Sequence, residues 1–159
     1  MTVDVSTEIV IRRPRDQVAE YSANPDNAPE WYVNIKEVRW KSPPPMSLGS
    51  KIAFVANFLG RRLAYIYEIV DLQPGRRLVM STKEGPFPME TTYTWEDSDG
   101  GGTRMRLQNR GSPVGFSSLL APFMAISMRR ANQKDLSRLK ELLERRRFLV
   151  TTGTVVTSF

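Results

Sequence analysis

The sequence predicts an α+β domain in which a curved antiparallel sheet of about six to seven strands wraps around one long C-terminal helix, with two short helices after the first strand. Three observations predict it. Residues 117–147 hold no glycine and no proline after Pro122, and Phe123, Met124, Met128, Leu136, Leu139 and Leu143 recur at helical spacing. From Ile35 to Asn109 the apolar residues alternate with polar ones, and turn-forming residues separate the runs by hairpin lengths. Between a first strand and that meander, two proline-punctuated stretches are too short for anything but single helical turns or two.

In chain order, Val3, Val5, Ile9 and Ile11 alternate with Asp4, Ser6, Glu8 and Val10, and Thr7 interrupts the apolar set. Pro14 stands where a helix can begin, Asp16 falls in its first turn, and Asn24-Pro25-Asp26-Asn27 stops it. A second helix is expected around 29–34. Val38 and Trp40 open the sheet, and Ser42-Pro43-Pro44-Pro45 makes a stiff loop before Gly49. Ile52, Phe54, Ala56 and Phe58 share one strand face, Gly60 marks a hairpin, and Leu63, Tyr65, Tyr67 and Ile69 share a face of the return strand. Pro74-Gly75 predicts a type II turn, since proline presets the first corner and glycine takes positive φ at the second. Leu78, Met80 and Thr82 follow, and Glu84-Gly85-Pro86 breaks the strand. Tyr93 and Trp95, a turn over 99–102, and then Thr103, Met105, Leu107 and Asn109 complete the sheet. The helix over 117–147 would run roughly 45 Å and needs the sheet to cover its apolar stripe. Arg129, Arg130, Lys134, Asp135, Arg138, Lys140, Glu141 and Glu144 make its wet side. One domain over 1–147 and a Thr- and Val-rich tail over 148–159 are expected.

Composition excludes several chemistries. There is no cysteine and no histidine, hence no disulfide, no thiol nucleophile, no imidazole base and no Cys/His metal site. No metal, nucleotide or other cofactor is expected, and acid–base work would fall to Asp, Glu, Tyr, Lys or water. No apolar run reaches the length of a membrane span and the first residues lack a signal-peptide pattern, so a cytoplasmic location is expected. The net charge of +6 raises nucleic acid or anionic membrane as partners. The arginines stand in small groups at turns and element ends (Arg12, Arg13 and Arg15; Arg61 and Arg62; Arg76 and Arg77; 145–147), with no phosphate-binding or DNA-reading motif beside them. They read as solubility, which leaves nucleic acid unlikely. Transient surface contact with a membrane and homodimerisation stay open.

The ordered set of motifs resembles the START-like superfamily, which includes polyketide cyclase/dehydrase and lipid-transport proteins. The resemblance spans about 3–144. It rests on Ile9-Val10-Ile11 before Arg13-Pro14-Arg15-Asp16-Gln17-Val18, on Trp31, Gly49, Pro74-Gly75-Arg76-Arg77-Leu78, Gly102-Thr103-Arg104 and Leu136-Ser137-Arg138-Leu139-Lys140. It implies a helix-grip fold with an apolar cavity between sheet and helix. It carries no catalytic set, because the superfamily shares none.

With the strand faces drawn as above, such a cavity would be lined by Trp40, Phe54, Phe58, Tyr65, Tyr67, Met80, Tyr93, Trp95, Met105, Met124 and Met128. Asn109, Asn132 and the tyrosine hydroxyls would orient a ligand; alternatively the same aromatics are packed core with paired hydroxyls. Ile66 and Val70 make the other face of the Leu63–Val70 strand partly apolar as well. Were that face inward, Glu68 would enter the cavity; Glu68, Tyr67 and Glu90 are the groups to watch for acid–base chemistry. The expected function is therefore binding of a small hydrophobic or aromatic molecule, lipid-like or polyketide-like, as carrier or sensor. The alternative is a cyclase or dehydratase using Tyr and Glu.

Overall fold

The alternation becomes one sheet of seven antiparallel strands in the computed structural model, which describes residues 3–58, 60–84, 87–112 and 121–146. The strands are β1 (Val3–Ile11), β2 (Ile35–Trp40), β3 (Lys51–Phe58), β4 (Arg61–Gln73), β5 (Arg77–Glu84), β6 (Met89–Ser98) and β7 (Gly102–Gly111). β2 to β7 form a meander, and β1 closes the far edge against β7, giving the order β1-β7-β6-β5-β4-β3-β2. This is the α+β helix-grip arrangement expected from the sequence.

The turns obey local chemistry. Arg76 N–H donates to the Gln73 carbonyl at 2.9 Å and Gly75 takes φ +76°, as a Pro-Gly type II corner requires. Between β1 and β2 lie α1 (Arg15–Ala23), a 3-10 turn (Pro25–Asn27) and α2 (Ala28–Trp31). The Asn24 side chain accepts the Asp26 N–H at 3.0 Å and so caps the 3-10 turn. The second helix is shorter than the expected 29–34: Tyr32 already has extended backbone, and the chain enters β2 three residues later.

The long helix α3 spans Ala121–Arg145; residues 117–120 and 147 of the expected helix, and the tail over 148–159, lie outside the described residues. Its inner face holds Met124, Met128, Asn132, Asp135, Leu136, Leu139 and Leu143, all buried. Two expectations are corrected here. Phe123 is 58% exposed, because a step of one from Met124 turns it by about 100° to the outside. Asp135, expected on the wet side, is buried. The steps from Met128 to 132, 135, 139 and 143 are four, three, four and four, so Asp135 sits in the middle of the inner stripe.

α3 lies along β1 and against α2. Leu136, Leu139 and Leu143 enter one core with Ile11, Val18, Trp31, Trp95, Met105 and Leu107. The far end of β1 grips the last turns of the helix. The Arg12 backbone N–H donates to Glu144 Oε2 at 2.9 Å and its guanidinium to Oε1 at 3.2 Å. Arg13 donates to the carbonyls of Glu144 and Arg146 at 2.8 and 2.9 Å, satisfying carbonyls that the helix end leaves open. Lys140 bridges the Val10 carbonyl at 2.7 Å and Glu144 at 2.5 Å.

Partial burial would raise the Glu144 pKa, but the hydrogen bonds from Lys140 and Arg12 outweigh it and hold the carboxyl at about 2. A depressed folded pKa contributes stability above the unfolded value of 4.5 that is lost as pH falls toward 2. Glu144→Gln should therefore melt below the parent at neutral pH, with the gap closing as pH falls through that window. Thermal unfolding followed by circular dichroism checks this; a gap that does not change with pH contradicts it.

Candidate functional site: a cavity between the sheet and the first half of α3

Along β6 and β7 the inner-face pairs change character from one end to the other. Trp95 stands opposite Met105, Tyr93 opposite Leu107, and Thr91 opposite Asn109. The first pair is packed core; the last is polar yet still buried. At that polar end the sheet and α3 part, leaving a cavity of about 150 Å³. A cavity of that size holds a benzene-sized guest in other proteins.

Phe54 and Ala56 of β3, Leu63, Tyr65 and Tyr67 of β4, Met80 of β5, and Met89, Thr91 and Tyr93 of β6 make its floor. Asn109 of β7, Phe87 and the segment Tyr32, Asn34 and Ile35 wall it, and Met128, Ala131, Asn132 and Asp135 of α3 roof it. The aromatic rings brace one another. Phe54 meets Tyr67 edge-on with centroids 5.7 Å apart, and Tyr65 meets Phe87 edge-on at 6.4 Å.

The polar groups fall into two sets. In the first, the Thr91 hydroxyl donates to Asn109 Oδ1 at 2.7 Å and lies 3.5 Å from the Tyr67 hydroxyl, which donates to Met89 Sδ at 3.4 Å. In the second, the Tyr32 and Tyr93 hydroxyls share a hydrogen bond, and Asp135 Oδ1 accepts the Val33 N–H at 2.8 Å. Asn132, 5% exposed and one turn before Asp135, has its Nδ2 buried without a hydrogen-bond partner. Burial pushes the Tyr65 hydroxyl up to about 12 and those of Tyr67 and Tyr93 higher still, and it raises Tyr32 well above its ordinary value, so all four remain neutral at physiological pH. Burial also pushes the Asp135 carboxyl up to about 7, against the opposing pull of the Val33 N–H and Arg138.

Of the residues expected at a cavity, Phe54, Tyr65, Tyr67, Met80, Tyr93, Asn109, Met128 and Asn132 line this one. Trp95 and Met105 lie deeper, where α1 closes the sheet and Trp95 Nε1 donates to Ser22 Oγ at 3.0 Å. Met124 packs with Val3, Val5 and Phe87 beyond the cavity. Trp40 sits at the outer end of β2 and donates to Asp26 Oδ1 at 2.7 Å. The Phe58 side chain lies outside the described residues. Glu68 and Glu90 are exposed, because Tyr67 and Ile69 take the inward positions of β4, and Met89 and Thr91 those of β6. The carboxylate at the cavity is Asp135. Its helical spacing carried the signal, but its charge assigned it to the wet face. Tyr32 had no sequence signal beyond its place beside Trp31.

The grouped arginines serve different contacts: Arg12 and Arg13 hold the end of α3 through Glu144 and the Arg146 carbonyl, Arg62 pairs with Glu37 at 3.8 Å and Arg77 with Asp71 at 3.3 Å. No described helix is long and apolar enough to cross a membrane.

A sheet gripping one long helix over an aromatic-lined cavity defines the START-like class. The chain belongs to the polyketide cyclase / dehydrase and lipid transport family, whose model matches residues 2–144. Solved structures of the same fold include a START superfamily protein from Mycobacterium smegmatis, at 11% identity and TM-score 0.77 over 89% of this chain and 97% of that one. The Zhui aromatase/cyclase from a Streptomyces species matches at 15% identity and TM-score 0.77 over 92% and 96%. A protein from Thermus thermophilus matches at 19% identity and TM-score 0.77 over 90% and 99%. No curated protein matches the sequence.

A carboxyl whose folded pKa is raised favours the folded state when protonated, so stability falls as pH rises from the unfolded value of 3.8 through about 7. Asp135→Asn removes that cost. The variant should resist urea better than the parent at about pH 8 and match it near pH 4. Equal urea midpoints at the higher pH would show that Asp135 is not buried as a charge.

Proposed function

We propose that this protein binds a small apolar or aromatic molecule between its sheet and the first half of α3, as a carrier or sensor. The observation that carries the reading is the cavity itself, walled by Phe54, Tyr65, Tyr67, Phe87 and Tyr93. A guest of matching shape gains contacts with these walls and releases the water between them. Aromatic walls with a few placed hydroxyl and amide groups suit such a guest. The family description, polyketide cyclase / dehydrase and lipid transport, supports the same class of cargo.

Asp135 favours a second reading, a cyclase- or dehydratase-type enzyme. A carboxyl titrating near 7 at the cavity can take the α-proton of a carbonyl compound, with a tyrosine hydroxyl hydrogen-bonding the developing enolate oxygen. The aromatase/cyclase among the structural neighbours supports that option. Asp135→Asn separates the two readings. A carrier keeps its binding and shows no turnover in either form, whereas an enzyme loses turnover and keeps binding.

Filling the cavity tests the binding reading. Ala131 is half-buried on its roof, and Ala131→Phe places a ring in the space. Titration with toluene, followed by ligand-observed NMR, should show binding weakened at least about tenfold, with the urea midpoint unchanged or raised. Undiminished toluene binding by a folded variant would put the apolar site elsewhere.

A further inference from the structure

We infer that the outer face of the first half of α3 docks on a bilayer surface that carries anionic lipid. Phe123 and Ile126 enter the headgroup layer, and Arg129, Arg130 and Lys134 meet the phosphates behind them. The inference stands apart from the binding reading above, because it uses the side of the helix turned away from the cavity.

Helical spacing places these residues together. Phe123, Ile126, Arg130 and Lys134 are separated by steps of three, four and four, so they form one stripe, and Arg129 flanks it. The buried side chains Met124, Met128, Asn132 and Asp135 fill the opposite side of the same turns. All five outer side chains are exposed, Phe123 at 58% and Ile126 at 48%. The other large apolar side chains exposed among the described residues, Val10, Val33, Leu48 and Val70, stand singly on separate parts of the chain. Such single residues are ordinary surface; two that neighbour each other at the head of a cationic row form a patch.

Charge selects the partner. Among the described residues none of these three cations pairs with a carboxylate, whereas Arg12, Arg15, Arg77, Arg106 and Arg110 each do. The sequence holds no Asp or Glu between Asp99 and Asp135, and Asp135 is buried on the inner side. The face is therefore cationic and uncompensated along the helix. A second copy of the chain would bring the same cations against it, and like charges would oppose the pairing. Two apolar side chains are also too few for the core of a stable protein interface. At a lipid surface they suffice, because apolar anchors and attraction to anionic headgroups add. Their order sets the pose. The start of α3 dips toward the acyl chains, and the cations lie along the headgroups over a stripe of roughly 17 Å.

Flotation of the full chain with vesicles tests this. Vesicles of phosphatidylcholine alone should leave the protein behind, and those with about 30% phosphatidylglycerol should carry it up. Raising the salt from about 50 to about 500 mM should release most of it. Arg129→Glu with Arg130→Glu should weaken binding at least about tenfold. Arg76→Glu with Arg104→Glu, which removes the same charge at exposed positions elsewhere, should retain most of it. Phe123→Ser with Ile126→Ser should weaken binding several-fold at low salt. Melting temperatures should stay at the parent value in all three, since every substituted side chain is exposed. Failure of the parent to float with the anionic vesicles overturns the inference. So does an equal loss in the two charge-reversed variants, which would make the attraction a property of net charge, or full binding by the serine variant. Retention of a uridine oligonucleotide by a protein that ignores the vesicles would assign the face to nucleic acid instead and overturn it as well.

Discussion

Leu136, Leu139 and Leu143 anchor the second half of α3 in the core, and the rest of the structure depends on that anchorage. Full burial of such side chains contributes about 1.5–3 kcal/mol each, far more than the exposed ion pairs around them. Arg12, Arg13 and Lys140 then hold the end of β1 to the same turns of the helix. With that end fixed, the direction of α3 is set, and a cavity separates its first half from the sheet. Met128, Asn132 and Asp135 therefore face the middle strands across a gap.

The inner face of the sheet matches this division. At the anchored end it presents Trp95, Met105 and Leu107, large apolar groups that close-pack with the leucines. At the open end it presents Thr91 and Asn109, which bond each other and present little bulk toward the helix. Packing and binding are thus two stretches of the same strands. Asp135 lies at the border, low enough to be desolvated and high enough to line the cavity.

Much of this was legible in the sequence because strand alternation and turn chemistry are local. Pro74-Gly75 and Gly60 mark corners that glycine alone takes easily, and both glycines have positive φ. The inward set Leu63, Tyr65, Tyr67 and Ile69 followed from alternation, although Ile66 and Val70 blurred the choice; Val70 is in fact 44% exposed. Position along a strand was not legible. Trp95 and Tyr93 share a face, yet one is sealed by α1 and the other reaches the cavity, and only the placement of α1 decides which. Asp135 was lost for a different reason. Polarity outranked spacing in assigning the helix faces, although the steps from Met128 to Leu139 pass through it. A charged residue within an apolar stripe is the signal that reading by type discards.

The central claim is that the space beneath Asn132 admits a small apolar molecule, and the methionines report on it directly. Of the seven in the chain, Met80, Met89 and Met128 line the cavity, whereas Met105 and Met124 are buried elsewhere. In a sample carrying labelled methionine methyl groups, toluene is added stepwise and the methyl resonances are followed. The account predicts saturable shifts at Met80, Met89 and Met128, with Met105 nearly still. Shifts spread evenly over all the methionines, or none at the three that line the cavity, would contradict it.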